Sequence, residues 1–397
     1  MTRSLPWNAW LLACIQPFVL SVGSLNVFLG GIVGAELQDS ASLSTLPVTA
    51  LIVGVFINAF PASKIQATIG RKNAFVIAAI ISSISALGAA WAIELGSFWG
   101  FTASAFLLGT QLAFVGQYRF AAIESCKDSS LHANVVSLVL VGGIAAAWIG
   151  PELLNIGSLV GYFDSEFANA YLSLALLEIT GALLLFLFMR SIPSTETNKK
   201  TESDSQLSEA LKNQTLWLAI FSGVTAYAVM AFIMTATPLA MHGHGHDIQH
   251  AKWIIQSHVV AMYLPSLITP LIIKRIGLEK LIYTGAFVML ACITIALIDH
   301  SVIHYWWALV LLGIGWNFLY VSGTTLLAKT YQQGHAYKIQ AINDSSITAF
   351  QSIGSLGAGA VLITFGWTSM LLASIFPVLL LLLLNIHHRQ KMRTLSS

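Results

Sequence analysis

The stretch AMHGHGHDIQHAKW, residues 240–253, sets His242, His244, His246 and His250 within nine positions of a chain otherwise poor in polar side chains. His242, His246 and His250 are four apart, so on one helix they would stack on a single face and could offer imidazole nitrogens to zinc or a related transition ion. Gly243 and Gly245 oppose that helix, because glycine at alternate positions favours a turn. The other reading is a solvated loop of neutral imidazoles, with Asp247 capping the helix that follows.

Five further residues could carry charge or protons. His258 lies in IIQSHVVAMYLPS, an apolar run in which an ionisable side chain is a functional hypothesis by default, and its ordinary pKa near neutrality suits a coupling proton. The alternative is a neutral imidazole bonded to a neighbouring helix. Glu178, between LALL and ITGA, could be a coupling carboxyl; packing or pairing inside its half is the simpler role for it. Arg119 and Glu124 could close a narrowing gate, but a separation of five is poor for a mutual helical pair, so each should find another partner. Asp344 follows Asn343 and is most simply a helix cap, with its charge available to an entrance or to proton coupling.

The elements that must position these groups follow from composition. The chain of 397 residues is 56% hydrophobic and 9% charged, against about 25% charged in soluble domains. Apolar runs long enough to cross a bilayer recur along its whole length. They fall near 8–33, 41–62, 73–93, 97–122, 133–158, 168–190, 214–240, 250–273, 280–298, 303–327, 337–362 and 365–386. The first continues past Leu29 without a small-residue cleavage site and reads as a span rather than a secretory signal. With both termini cytoplasmic, 18 of the 19 Lys and Arg lie at cytoplasmic ends, Lys252 being the exception. The net charge of +2 is thus a matter of topology, and no nucleic-acid partner is expected. Cys14, Cys126 and Cys292 sit in or beside separate runs and form neither a disulfide framework nor a CxxC pair.

The polar stretch SIPSTETNKKTESDSQLSEALKNQ reads as a solvated linker, dividing the chain into a six-helix half at 1–190, a cytoplasmic linker at 191–213 and a second six-helix half at 214–397. The halves echo one another: Gly70 in TIGRKNAF and Gly277 in RIGLEKLI are 207 positions apart, as are Gly150 and Gly357. Such parallel repeats are a transporter plan with the solute site near the midplane.

Through twelve spans, a central loop and two motifs, the chain resembles the major facilitator superfamily over essentially its whole length. The loop after the second span keeps Gly70, Arg71 and Lys72 of the family's Gly-Arg-Arg/Lys; Ala67 and Thr68 stand where an acid and a base are expected, which removes part of the charge relay attributed to that loop. GGIAAAWIGP, ending in Gly150 and Pro151, is similar to the family's glycine-rich fifth-span motif, implying at Gly150 a helix contact too close for a side chain larger than alanine. QYRFAAIE, MTATPLAMHGHGH and KIQAIND resemble a bacterial subgroup, some of whose members are associated with riboflavin uptake.

The resemblance implies an all-α membrane protein of twelve transmembrane helices in two six-helix halves. It also implies that spans one, four, seven and ten line the solute path. Polar and aromatic residues there are Gln16, Asn26, Gln111, Thr235, Trp316, Asn317 and Tyr320, with Trp316 and Tyr320 four apart on one face as a surface for a flat solute. The expected protein is a monomeric secondary transporter of a small organic solute in the bacterial inner membrane, driven by protons and needing no cofactor. A transition-metal transporter capturing its ion at His242, His246 and His250 is the rival. GxxxxGK[ST], HExxH and GxSxG do not occur, so neither a nucleotide-driven pump nor a membrane-embedded hydrolase is expected.

Overall fold

A computed structural model describes residues 5–38, 43, 46–192, 211–331 and 336–396. Most of the expected linker, 193–210, lies outside the described residues. Those described form helices and short connections, as a chain must when its backbone polar groups have no water to bond. They are α1 (Trp7–Leu37), α2 (Leu46–Ile69), α3 (Arg71–Glu94), α4 (Phe98–Val115), α5 (Tyr118–Glu124), α6 (His132–Val160) and α7 (Glu166–Phe188). The second half gives α8 (Gln214–Gly243), α9 (Ile248–Tyr263), α10 (Thr269–Ile276), α11 (Leu278–Ile298), α12 (Val302–Leu327) and α13 (Ala336–Ser396).

Ten of the described helical runs are long and apolar enough to cross a membrane. An eleventh is broken: the chain bends by 54° between Trp253–Leu267 and Thr269–Ile276, where the sequence reads as one continuous span. Pro265 and Pro270 are the cause, since neither can donate to the carbonyl four residues before it. The 61 residues of α13 would run about 90 Å as a straight helix, some three times the bilayer core. They do not run straight, because Gly366 has φ 80° and divides α13 in two. Counting that division, the described residues hold twelve spans. Large apolar side chains such as Ile84, Phe186 and Leu383 point outward, a surface that suits lipid.

The chain gathers into two compact units. One holds 1–129, 138–196 and 337–345; the other holds 130–137, 197–336 and 346–397. The two segments assigned outside their own half, 130–137 and 337–345, begin 207 positions apart, the offset seen in the glycines.

In the first unit, Val22, Leu25, Leu29, Phe101, Leu108, Tyr171 and Leu174 belong to one buried cluster. The helices meet backbone to backbone. A Cβ on Gly54 would lie 2.1 Å from the Phe106 carbonyl oxygen, and one on Gly109 2.1 Å from that of Leu51. At Gly150 the expected spacing proves tighter than alanine allows, because a Cβ there would sit 2.4 Å from the Ser24 Cβ and 3.0 Å from the Leu25 nitrogen. Its counterpart Gly357 has nothing within 4 Å. Gly150→Leu should therefore insert but transport at a small fraction of the wild-type rate, and Gly150→Ala should also be impaired, whereas Gly357→Ala should be tolerated. Uptake normalised to protein in the membrane checks this; equal activity of all three variants would deny that the approach at Gly150 matters.

Candidate functional site

In the second unit, α12 presents Trp316 and Tyr320 one turn apart, and their rings stack at 4.9 Å with planes 26° apart. Tyr227 of α8 meets both edge-on, at 5.2 Å from each. Tyr263, the last residue of α9, meets Trp316 edge-on at 5.7 Å. Trp316 and Tyr320 are buried and form the base of the group, while the half-buried Tyr227 and Tyr263 form its rim. The indole Nε1–H of Trp316 is buried without a hydrogen-bond partner. Such a donor inside a nest of π faces fits a flat conjugated molecule whose edge carries an acceptor. Tyr227 and Tyr263 escape a reading of single helices, because only the packing of three elements brings them to Trp316.

The other expected contacts separate into used and unused groups. Asn317 is fully committed: its amide donates to the Met262 carbonyl at 2.7 Å and Ser266 Oγ at 2.6 Å, and its oxygen accepts from Thr269 Oγ1 at 2.8 Å. Both amide hydrogens and the oxygen are thus engaged by the protein itself. Asn26 is buried on α1 and accepts from the Tyr171 hydroxyl at 2.9 Å, tying α1 to α7. Thr235 is exposed and lies 3.1 Å from Ser355 Oγ. Gln16 and Gln111 are buried, each with an unpartnered amide oxygen. The Gln111 amide nitrogen points to Glu178 Oε2 at 3.5 Å, so Gln111 and the buried carboxyl of α7 form one polar node. The second Glu178 oxygen has no partner.

His258 is fully buried. Its Nδ1 lies 2.8 Å from the Leu309 carbonyl, which can only accept, so Nδ1 carries the hydrogen and Nε2 is the bare nitrogen. That Nε2 has no partner.

A second polar group sits at the basic end of the first unit. Gly70, at φ 80°, turns the chain from α2 into α3, and Arg71 follows as a buried side chain. Its Nε donates to Glu124 Oε2 at 2.7 Å and its terminal nitrogens reach Glu124 Oε1, Gln66 Oε1 at 2.6 Å, Gln340 Oε1 at 2.6 Å and Gln117 Oε1 at 3.3 Å. The guanidinium also lies 4.7 Å above the Tyr337 ring. Arg119 pairs with Asp344, which also accepts from the amides of Gln117 and Asn343. Arg119 and Glu124 thus take different partners. Asp344 is not a helix cap: α13 begins at Ala336, so Asp344 is an interior helical residue whose carboxylate faces a cation. Gln66 and Tyr337 carry no signal of their own in the sequence, while Gln117 and Gln340 stand in QYRFAAIE and KIQAIND without a role to read from type or spacing. They supply acceptors and a π face to Arg71 where Ala67 and Thr68 offer no charge. Lys72 is exposed along part of its length, its ammonium 5.7 Å above the Phe186 ring.

The histidine stretch is partly helical, since α8 runs through Gly243 and the turn falls at Gly245, whose φ is 82°. His244 Nδ1 lies 2.8 Å from the Tyr305 hydroxyl, and its ring stacks on His300 at 4.3 Å. Burial, then the nearby His300 and His246, hold the His244 imidazole below its ordinary pKa. His246 Nε2 lies 2.6 Å from the His300 carbonyl, whereas His242 and His250 are exposed. Among the described residues no three His, Cys, Asp or Glu come together in a group able to hold a metal ion.

With this geometry the chain matches the family model of the Major Facilitator Superfamily over residues 10–340. The chain belongs to that superfamily and is a multi-pass membrane transporter of a small solute. It is 33% identical to the riboflavin transporter RfnT of Brucella anthropi over 97% of this chain and 96% of that one. It is 26% identical to the uncharacterized MFS-type transporter YdeG of Bacillus subtilis over 93% and 90% of the two chains. Among solved structures, a bacterial homologue of the iron transporter ferroportin in an outward-facing state superposes with a TM-score of 0.72 at 13% identity, covering 96% of this chain and 98% of that one. The transporter FucP in the outward conformation gives 0.70 at 15%, covering 96% and 97%. At these identities the structures speak for the fold alone.

Proposed function

We propose that the protein carries riboflavin, or a flat heteroaromatic solute of the same kind, across the bacterial cytoplasmic membrane by alternating access coupled to protons. The observation that carries this reading is the group of Trp316, Tyr320, Tyr227 and Tyr263 around the unpartnered indole N–H. It suits a conjugated ring system with carbonyl and ring-nitrogen acceptors on its rim. The end-to-end similarity to RfnT supports the same solute. The charge distribution supports a cytoplasmic side for the termini and the linker. The protein acts as a monomer whose two halves alternate about the solute.

His258 is the proposed proton carrier, because Leu309 holds Nδ1–H and leaves one buried nitrogen open to a proton. Glu178, with one oxygen open, and Asp344, facing Arg119, are the other carboxyl candidates. The test uses proteoliposomes. Wild-type protein should accumulate radiolabelled riboflavin when a pH gradient is imposed, and His258→Gln should retain riboflavin exchange at equal pH while losing gradient-driven accumulation. An absence of riboflavin exchange by the wild type would overturn the solute assignment; full accumulation by His258→Gln would overturn the proton role.

A further inference from the structure

We infer that Asn317 is a positioning residue for the aromatic site: it fixes the break in the eighth span and, through that break, sets Tyr263 against Trp316. The inference rests on the reading of the aromatic group as the solute site. α9 ends at Tyr263, a 3-10 turn follows over Leu264–Leu267, and α10 leaves at 54° from Thr269. Broken helices persist in membranes only where other groups satisfy the freed backbone. Here the Pro265 carbonyl accepts from the Ile268 N–H and from the Thr269 hydroxyl, and the Asn317 amide, reaching from α12, holds the Met262 carbonyl. Asn317 bonds Met262 before the turn, Ser266 within it and Thr269 after it, so a single rigid group pins both arms of the bend.

The reach is short because the two helices touch: a Cβ on Gly313, one turn before Asn317, would lie 2.7 Å from the His258 carbonyl oxygen and 2.9 Å from the Met262 nitrogen. Met262, whose carbonyl Asn317 holds, immediately precedes Tyr263. Trp316, on which the Tyr263 ring leans, immediately precedes Asn317. The position of the rim ring relative to the base is therefore set by the residues next to both rings in the chain, through an amide already committed to the protein. In the other half, α2 occupies the matching place as an unbroken helix, although Pro61 lies within it. The pinned bend is thus a feature that this half adds to the common plan.

The test compares Asn317→Ala with Asn169→Ala. Asn169 is a similarly buried amide that bonds the backbone of Tyr162 and Phe163 in the first unit, far in sequence from every aromatic residue of the site. Two readouts are needed: the Trp316 contribution to emission and acrylamide quenching without ligand, obtained by subtracting matched Trp316→Phe proteins, and the riboflavin Kd from flavin fluorescence. Asn317→Ala should red-shift and expose Trp316 and raise Kd roughly 3- to 10-fold, the scale of one edge-to-face aromatic contact. Asn169→Ala should lower the melting temperature but leave both readouts unchanged.

Ser266→Ala and Thr269→Val each remove one anchor and should shift the same readouts less, without adding to Asn317→Ala in double variants. These milder variants decide the matter if Asn317→Ala does not fold. A wild-type Trp316 signal and Kd in all three variants, or an equal change in Asn169→Ala, overturns the inference. If the wild-type protein does not bind riboflavin, the solute reading falls, and the ligand-free Trp316 signal alone still decides whether Asn317 sets the aromatic group.

Discussion

Trp316→Leu is expected to lower riboflavin affinity by about 10- to 100-fold, the range that follows when one stacking platform worth roughly 1–3 kcal/mol is removed. The indole is the ring that all the others meet. It stacks on Tyr320 and receives the edges of Tyr227 and Tyr263, so leucine removes the base and both edge contacts together. Trp316→Phe keeps a π face but loses the buried N–H, which has no partner in the unliganded protein, together with part of the ring. It should weaken binding several-fold and also lower the melting temperature, because the smaller ring leaves a cavity among its neighbours. Flavin fluorescence titration and uptake at limiting riboflavin measure both. A Trp316→Leu protein that binds as the wild type does would show that the aromatic group is only packing.

The twelve spans were legible because hydropathy over some twenty residues is a property of each segment by itself. What one segment does to another was less so. The 207-residue offset illustrates the division. Gly70 and Gly277 adopt nearly the same backbone conformation, φ 80° and 86°, as N-terminal neighbours of α3 and α11. Gly150 and Gly357 share the offset but not the packing, and in the second half it is Gly354 that approaches a neighbour, with a Cβ 2.9 Å from the Ala228 carbonyl oxygen. Duplication preserves local conformation more readily than it preserves the contacts of each side chain.

The candidate site was half visible for the same reason. Trp316 and Tyr320 stand one turn apart on one helix, a spacing that can be read directly. Tyr227 and Tyr263 come from two other helices, and their approach depends on crossings that no periodicity encodes. Asn317 reads two ways because a polar residue beside Trp316 can serve either of two needs, those of a solute and those of a broken backbone. The prolines at 265 and 270 are the available sign of the second. Asp344 misleads because an Asn-Asp pair near the start of a span has the composition of a cap, although a helix beginning near 337 already sets it about two turns inside.

The basic cluster of the first unit yields the other large effect. Arg71 is buried and Glu124 nearly so, with side-chain exposures of 0% and 19%. Removing one partner of such a pair costs about 3–5 kcal/mol when the remaining charge is stranded. The two removals are not equivalent here. Without Glu124, Arg71 keeps the amide oxygens of Gln66, Gln117 and Gln340 and the face of Tyr337. Without Arg71, Glu124 keeps one amide donor, from Gln340 at 3.2 Å. Arg71→Met should therefore reach the upper part of that range, while Glu124→Gln, which retains an acceptor for Arg71, should cost clearly less. The double variant Arg71→Met, Glu124→Met should recover most of the loss, since it buries no unpaired charge. Melting temperatures in detergent rank the three proteins. A Glu124→Gln protein less stable than Arg71→Met would mean that the carboxylate, rather than the ring of glutamine amides, is what makes a buried cation tolerable where Ala67 and Thr68 replace charged residues.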